Sequence, residues 1–189
     1  GNKGDIRQSS WKRGAKLGDK ANERRGKRLM AIFYLDTSAL VKRYKTEEGS
    51  EMVDDLYDNL PSGNSLAISF LTVLEFVSAI GRLLKGGTIS DEEFRDTLST
   101  FSQEVEPFLI RSVDDKIVAD ALTYVTKHGL KPADSIQLAT VIELREMMKG
   151  AGERVIFVCD DEELAKAGRE ENLEVINPRK EEDKIKLKG

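Results

Sequence analysis

Apolar residues arrive in this chain in two rhythms: short continuous runs, and longer stretches that repeat every three or four positions. The two alternate from residue 31 onward. The first run ends in Asp36 and reads as a buried strand over 31–36, followed by a short helical stretch over 38–44. A helix over 47–60 then runs to a Pro61–Asn64 turn, and a strand over 66–70 leads into a helix over 71–85. In that helix Val73, Phe76, Val77, Ile80 and Leu84 form the apolar stripe, and Gly86 with Gly87 ends it. Ser90 and Glu93 have capping-box spacing and open a helix to about residue 106, after which Pro107 introduces a short strand over 108–111. A helix over 114–128 stops at Gly129, and Pro132 opens the longest apolar helix, which continues through Met148 to a break at 150–152. A strand over 154–159, a helix to about residue 172 and a last strand over 173–176 complete the pattern. At the start of that last helix Asp160 is the better-placed cap, which leaves Asp161 free.

Strands alternating with helices need crossover connections, so the fold class is α/β, with a mainly parallel sheet covered on both faces. In such sheets ligands gather beyond the carboxyl ends of the strands, where Asp36 and the Asp160–Asp161 pair fall. The folded domain is expected over 30–178. Residues 1–29 show no sustained periodicity and read as a disordered basic leader, either a non-native addition, a misassigned start before Met30, or an arm for RNA or a partner. Residues 179–189 read as a charged flexible tail.

Charge sharpens this division. The net charge of -4 combines a leader with ten Lys/Arg against three Asp/Glu and a remainder with twenty against thirty-one. An acidic body is a poor general binder of phosphate backbones, so nucleic-acid contact must rest on a local basic patch or on bound cations. The single cysteine, Cys159, excludes an internal disulfide and thiolate-rich zinc sites, and suits a reducing, cytoplasmic setting. It reads as a structural thiol, since nearby acids disfavour a thiolate. The single histidine, His128, argues against His-based metal clusters and catalytic triads. No run approaches the ~18 apolar residues of a membrane span.

The acids therefore carry the candidate chemistry, and each has two readings. Asp36 is either a helix N-cap or an acid delivered by the strand to the sheet rim. Glu75, at about 100° per residue, points away from the stripe of its helix and shares a face with Leu71, Ser78 and Arg82. That face is either solvated or the wall of a cleft. Asp134 is in line with Leu138, Val141 and Met148, so it either complements the helix dipole or heads an apolar stripe where a carboxylate needs a partner. Four carboxylates without histidine or cysteine partners are hard oxygen donors of the kind Mg²⁺ or Mn²⁺ prefers, as one ion or as a pair.

Four segments resemble one family. Residues 34–40 (YLDTSAL), 71–75 (LTVLE), 130–139 (LKPADSIQLA) and 158–164 (VCDDEEL) are similar, in order and spacing, to the motifs of PIN-domain ribonucleases, especially the toxins of VapBC-type toxin–antitoxin systems. The resemblance implies a three-layer α/β/α sandwich and carries the acidic metal site onto Asp36, Glu75, Asp134 and Asp161, with Ser38 and Asp160 as secondary positions. Cys159 replaces the Thr or Ser of many relatives. The implied activity is Mg²⁺- or Mn²⁺-dependent hydrolysis of RNA, with Lys42, Arg43, Arg82 and Lys131 as candidate RNA contacts. The implied partners are a cognate antitoxin and a second copy in a homodimer. The alternatives are a stand-alone RNA-processing nuclease and an inactive PIN-like module that binds RNA or protein. A phosphotransfer domain of dehalogenase type would need a second Asp two positions after Asp36, where this chain has Ser38.

Overall fold

The computed structural model describes residues 30–180, 182 and 183. The expectations for the leader over 1–29, and for most of the tail, fall outside the described residues. Five strands, β1 (Ala31–Leu35), β2 (Ser65–Ser69), β3 (Leu109–Arg111), β4 (Arg154–Val158) and β5 (Glu174–Ile176), form one sheet in the order β3-β2-β1-β4-β5. Every neighbouring pair is parallel. The connections carry helices α1 (Thr37–Leu40), α2 (Ser50–Asp58), α3 (Phe70–Lys85), α4 (Asp91–Glu104), α5 (Asp115–His128), α6 (Pro132–Lys149) and α7 (Glu162–Glu170).

Successive strand side chains feed two cores, as a pleated strand buried on both faces requires. Phe33, Leu35, Ile68, Ile156 and Val158 pack with Leu40, Met52, Phe76, Ile80 and Phe101 of the helices on one face. Ile32, Tyr34, Val155 and Phe157 pack with Leu138, Val141, Leu144 and Leu164 on the other. Each of these large side chains, removed from water, contributes about 1.5–3 kcal/mol toward the conformational entropy of folding. The α/β/α sandwich implied by the sequence is the fold observed. Among the described residues no helix is long and apolar enough to cross a membrane.

The chain runs from β1 outward through β2 to β3, then returns to place β4 on the other side of β1. The carboxyl ends of β1 and β4 therefore flank the point where the winding reverses, which in open parallel sheets is where a crevice forms. Asp36 follows β1 at this point, and its N–H donates to the Val158 carbonyl at 3.1 Å.

Several boundaries differ from the expected ones for local reasons. Phe70 opens α3 instead of closing β2, because Ser69 and Thr72 form a capping box: Thr72 N donates to Ser69 Oγ at 3.0 Å and Ser69 N to Thr72 Oγ1 at 3.3 Å. The expected helix over 47–60 begins only at Ser50, after Gly49 with φ 90°. A side chain at Gly49 would place its Cβ 2.8 Å from the Pro178 backbone, so that loop is fastened beneath the segment following β5. Val77 is 38% exposed and is not part of the core stripe of α3, whose buried positions are Thr72, Phe76 and Ile80. The stretch over 38–44 divides into α1 and a 3₁₀ turn at Val41–Arg43.

Candidate active site

Asp36 satisfies both of its sequence readings. It is the N-cap of α1, accepting from Ala39 N at 3.0 Å, and it stands at the reversal point of the sheet. Ser38 Oγ donates to it, 2.8 Å from both carboxylate oxygens, while accepting from Asp160 N at 2.9 Å and Asp161 N at 3.3 Å. One hydroxyl thus joins the ends of β1 and β4. Asp36 is only 4% exposed, and burial pushes its carboxyl up to about 7 against the opposing effect of the Ser38 hydroxyl and the backbone donors.

Glu75 is half-buried on α3 and turns toward α1 and α6. Its Oε2 accepts from Thr37 Oγ1 at 2.5 Å and from Gln137 Nε2 at 3.0 Å. Asp134 occupies the first turn of α6, where Pro132 stands at the helix start. Its carboxyl is pushed up from the usual range by burial first, then by the negative charge of Asp161; Glu75 and Glu163 add to this and Lys131 opposes it. Asp161 caps α7, accepting from Leu164 N at 2.9 Å. The four sequence-predicted acids thus come from four elements, and Asp134 feels the charges of Asp161 and Glu75. Among the described residues no three His, Cys, Asp or Glu side chains are already set around a metal position.

The structure reverses the expected roles of the Asp160–Asp161 pair: Asp161 is the cap, and Asp160 is held by ion pairs to Lys42 at 3.0 Å and Arg179 at 2.5 Å. Lys42 is not a surface contact for RNA. It is buried, and it also reaches Glu47 at 3.0 Å and the Glu48 carbonyl at 2.7 Å. Arg43 is likewise engaged, with Asp54 at 2.8 Å, Glu104 at 2.9 Å and Asp58 at 3.3 Å, and its guanidinium lies 5.0 Å from the Tyr57 ring centroid. It lines a cleft of about 350 Å³ beside the amino ends of β2 and β3, away from the acids. Arg82 and Lys131 are exposed and form no salt bridge among the described residues. Cys159 is buried, and burial with the charge of Asp36 pushes its thiol well above the ordinary range, so it is a structural group. His128 is held between Glu170 at 3.1 Å and Glu171 at 2.6 Å where α5 and α7 end.

Sequence reasoning missed two residues at the crevice, Thr37 and Gln137, both of which touch Glu75. Gln137 carried a signal: an amide between Ile136 and Leu138, one turn after Asp134, is out of place in an apolar row unless something polar faces it.

The fold has close counterparts. FitAcB from Neisseria gonorrhoeae superposes with a TM-score of 0.55 at 21% identity, covering 77% of this chain and 97% of that one. VapBC-1 from nontypeable Haemophilus influenzae gives 0.54 at 13% identity, over 79% of this chain and 99% of that one. Mycobacterium tuberculosis VapC20, described as a sarcin–ricin loop cleaving toxin, gives 0.52 at 13% identity, over 72% and 95%. No curated protein matches the sequence. Residues 33–170, well over half of the chain and inclusive of all four acids, match the PIN domain, and the chain belongs to that family of nucleases.

Proposed function

We propose that this chain is a divalent-metal-dependent endoribonuclease acting in the cytoplasm as the toxin of a toxin–antitoxin pair. The observation that carries the reading is the crevice at the reversal point of the sheet, where Ser38 ties Asp36 to the backbone of Asp160 and Asp161, and where burial and the charges of Asp161 and Glu75 raise the Asp134 carboxyl. Burial raises Asp36, and burial with the neighbouring acids raises Asp134 against the opposing charge of Lys131; an all-oxygen set suits Mg²⁺ or Mn²⁺, as one ion or two. These four acids would hold the metal. When bound, such a cation supplies a water of lowered pKa and a counter-charge for the phosphodiester.

The remaining roles fall to the chain's own groups. Ser38 and Thr37 fix the orientations of Asp36 and Glu75 by hydrogen bonds at 2.8 and 2.5 Å. Arg82 and Lys131 are the exposed cations available to RNA phosphates, with Lys131 preceding the helix that bears Asp134. Neither Cys159 nor His128 is presented to the crevice as a nucleophile or a proton carrier, which suits direct attack by water.

The shared fold with VapC20, a sarcin–ricin loop cleaving toxin, supports the toxin role. Phe70, Leu74 and Val77, exposed along one face of α3, and Val118 and Leu122, exposed on α5, support a homodimer and an antitoxin contact, because such apolar surface is normally covered.

The test is incubation of the chain with single-stranded and structured RNA in Mg²⁺, Mn²⁺ or EDTA, alongside Asp36→Asn and Asp134→Asn. Cleavage is expected only with metal, and each variant should lose more than the ~10–100-fold typical of groups one step removed from a metal. Cutting in EDTA, or full activity in both variants, overturns the reading.

A further inference from the structure

A buried row of polar groups runs from the interior of the sheet to the crevice. Tyr34, the penultimate residue of β1, is fully buried, and its hydroxyl lies 2.6 Å from Gln137 Oε1. Gln137, itself 1% exposed, lies 3.0 Å from Glu75 Oε2 through its Nε2. Thr72 Oγ1 flanks the amide, 3.0 Å from Nε2, and Ser69 Oγ stands 3.3 Å from Oε1. A side-chain amide offers an acceptor at one end and donors at the other, so its value to a carboxylate depends on which way it faces. A carboxylate only accepts, so the NH₂ faces Glu75; the Tyr34 phenol, which can donate as well as accept, then donates to the inward Oε1 and holds the amide in that orientation.

Glu75 Oε2 therefore receives two donors, Gln137 Nε2 and Thr37 Oγ1. Its Oε1 takes no hydrogen bond from any described residue. Satisfying Tyr34 and Thr72 alone would not require the amide to reach Glu75; its span from β1 to Glu75 links the strand that delivers Asp36 to the helix that delivers the second acid.

We propose that Gln137 is a positioning residue: oriented by Tyr34, its amide pins one oxygen of Glu75 and leaves the other directed to a divalent cation. This rests on the metal-dependent reading above. Gln137 touches neither the cation nor RNA, so its effect passes entirely through the carboxylate.

The experiment measures Mn²⁺ binding to the full chain by electron paramagnetic resonance, without RNA. Gln137→Met is expected to weaken binding about tenfold, the scale on which groups behind a metal ligand act. Tyr34→Phe should weaken it less. The double variant should be no weaker than Gln137→Met alone, because Tyr34 acts only through Gln137, and it removes both ends of the buried hydrogen bond, the substitution best suited to keeping the fold. Wild-type affinity in Gln137→Met, or losses that add in the double variant, overturns the proposal. Absence of Mn²⁺ binding by the wild-type chain, or unchanged binding in Glu75→Gln, instead overturns the metal reading and the proposal with it. Should the single variant fail to fold, the side-chain amide resonances of Gln137 in the wild-type chain decide the matter. They are expected to shift on Mg²⁺ titration with the midpoint at which Mg²⁺ displaces Mn²⁺, and resonances that stay still overturn the proposal.

Discussion

Carboxylates gather in two regions of this molecule, and the groups that answer them differ in kind. Beside the amino ends of β2 and β3, Asp54, Asp58 and Glu104 share one guanidinium, Arg43, which also lies over the Tyr57 ring. Those acids, Glu104 foremost, hold Arg43 well above its ordinary range, so the guanidinium stays charged and serves all three. Beyond the carboxyl ends of β1 and β4, Asp36, Glu75 and Asp161 are met by hydroxyls, an amide and backbone N–H groups. Of the cations near that rim, Lys42 and Arg179 are taken up by Asp160, and Lys131 opposes the rise of Asp134 without forming an ion pair among the described residues. Neutral dipoles orient a carboxylate without cancelling its charge; at Asp36 they oppose, without overcoming, the upward push of burial, which is also the first cause of the rise at Asp134. One cluster already holds its cation; the other meets its carboxylates with neutral donors.

Substitutions at the two clusters separate these roles. Arg43→Met strands three carboxylates and should cost about 2–3 kcal/mol, toward the lower side of the penalty for breaking a buried pair because Arg43 is partly exposed. Urea titration reads this, and RNA cleavage per folded molecule should hold; a parallel loss of cleavage would tie this cluster to function and break the comparison. Asp36→Asn keeps an N-cap side chain but removes a buried charge. The folded carboxyl, near 7 against an unfolded value of 3.8, keeps a proton that the unfolded chain releases, so wild-type stability falls as pH rises from about 4 to 7. In EDTA at pH 8 the variant should be more stable than wild type by an amount on the order of 2 kcal/mol, with a flatter pH profile across that window. Thermal melts at pH 5 and pH 8 check this, and equal slopes for the two proteins would contradict it. The smallest effect is expected from Lys131→Ala: RNA binding weaker by less than about fivefold, with the salt dependence of log K reduced by about one. An unchanged salt slope would remove Lys131 from the RNA surface.

The sheet was legible because strand periodicity is local. The unbroken apolar runs of β1 and β4 announced strands buried on both faces, and the acids that end them fell at the rim for the same reason. The fate of charged side chains was not legible, because it depends on partners far along the chain. Nothing near Arg43 in sequence announces Glu104, and nothing near Lys42 announces Asp160. The reversal of Asp160 and Asp161 has the same origin: two adjacent acids before a helix look equivalent until Lys42 and Arg179 claim one of them. Val77 was misplaced because an apolar residue at helical spacing suits an exposed face as well as a buried one.

The sheet terminates in three-residue strands on both sides, β3 and β5. A foreign β-strand approaching either edge would find very few unpaired backbone groups to continue the ladder, a common protection against runaway fibre growth. Crowded, partly folded copies of such a chain have little template on which to stack.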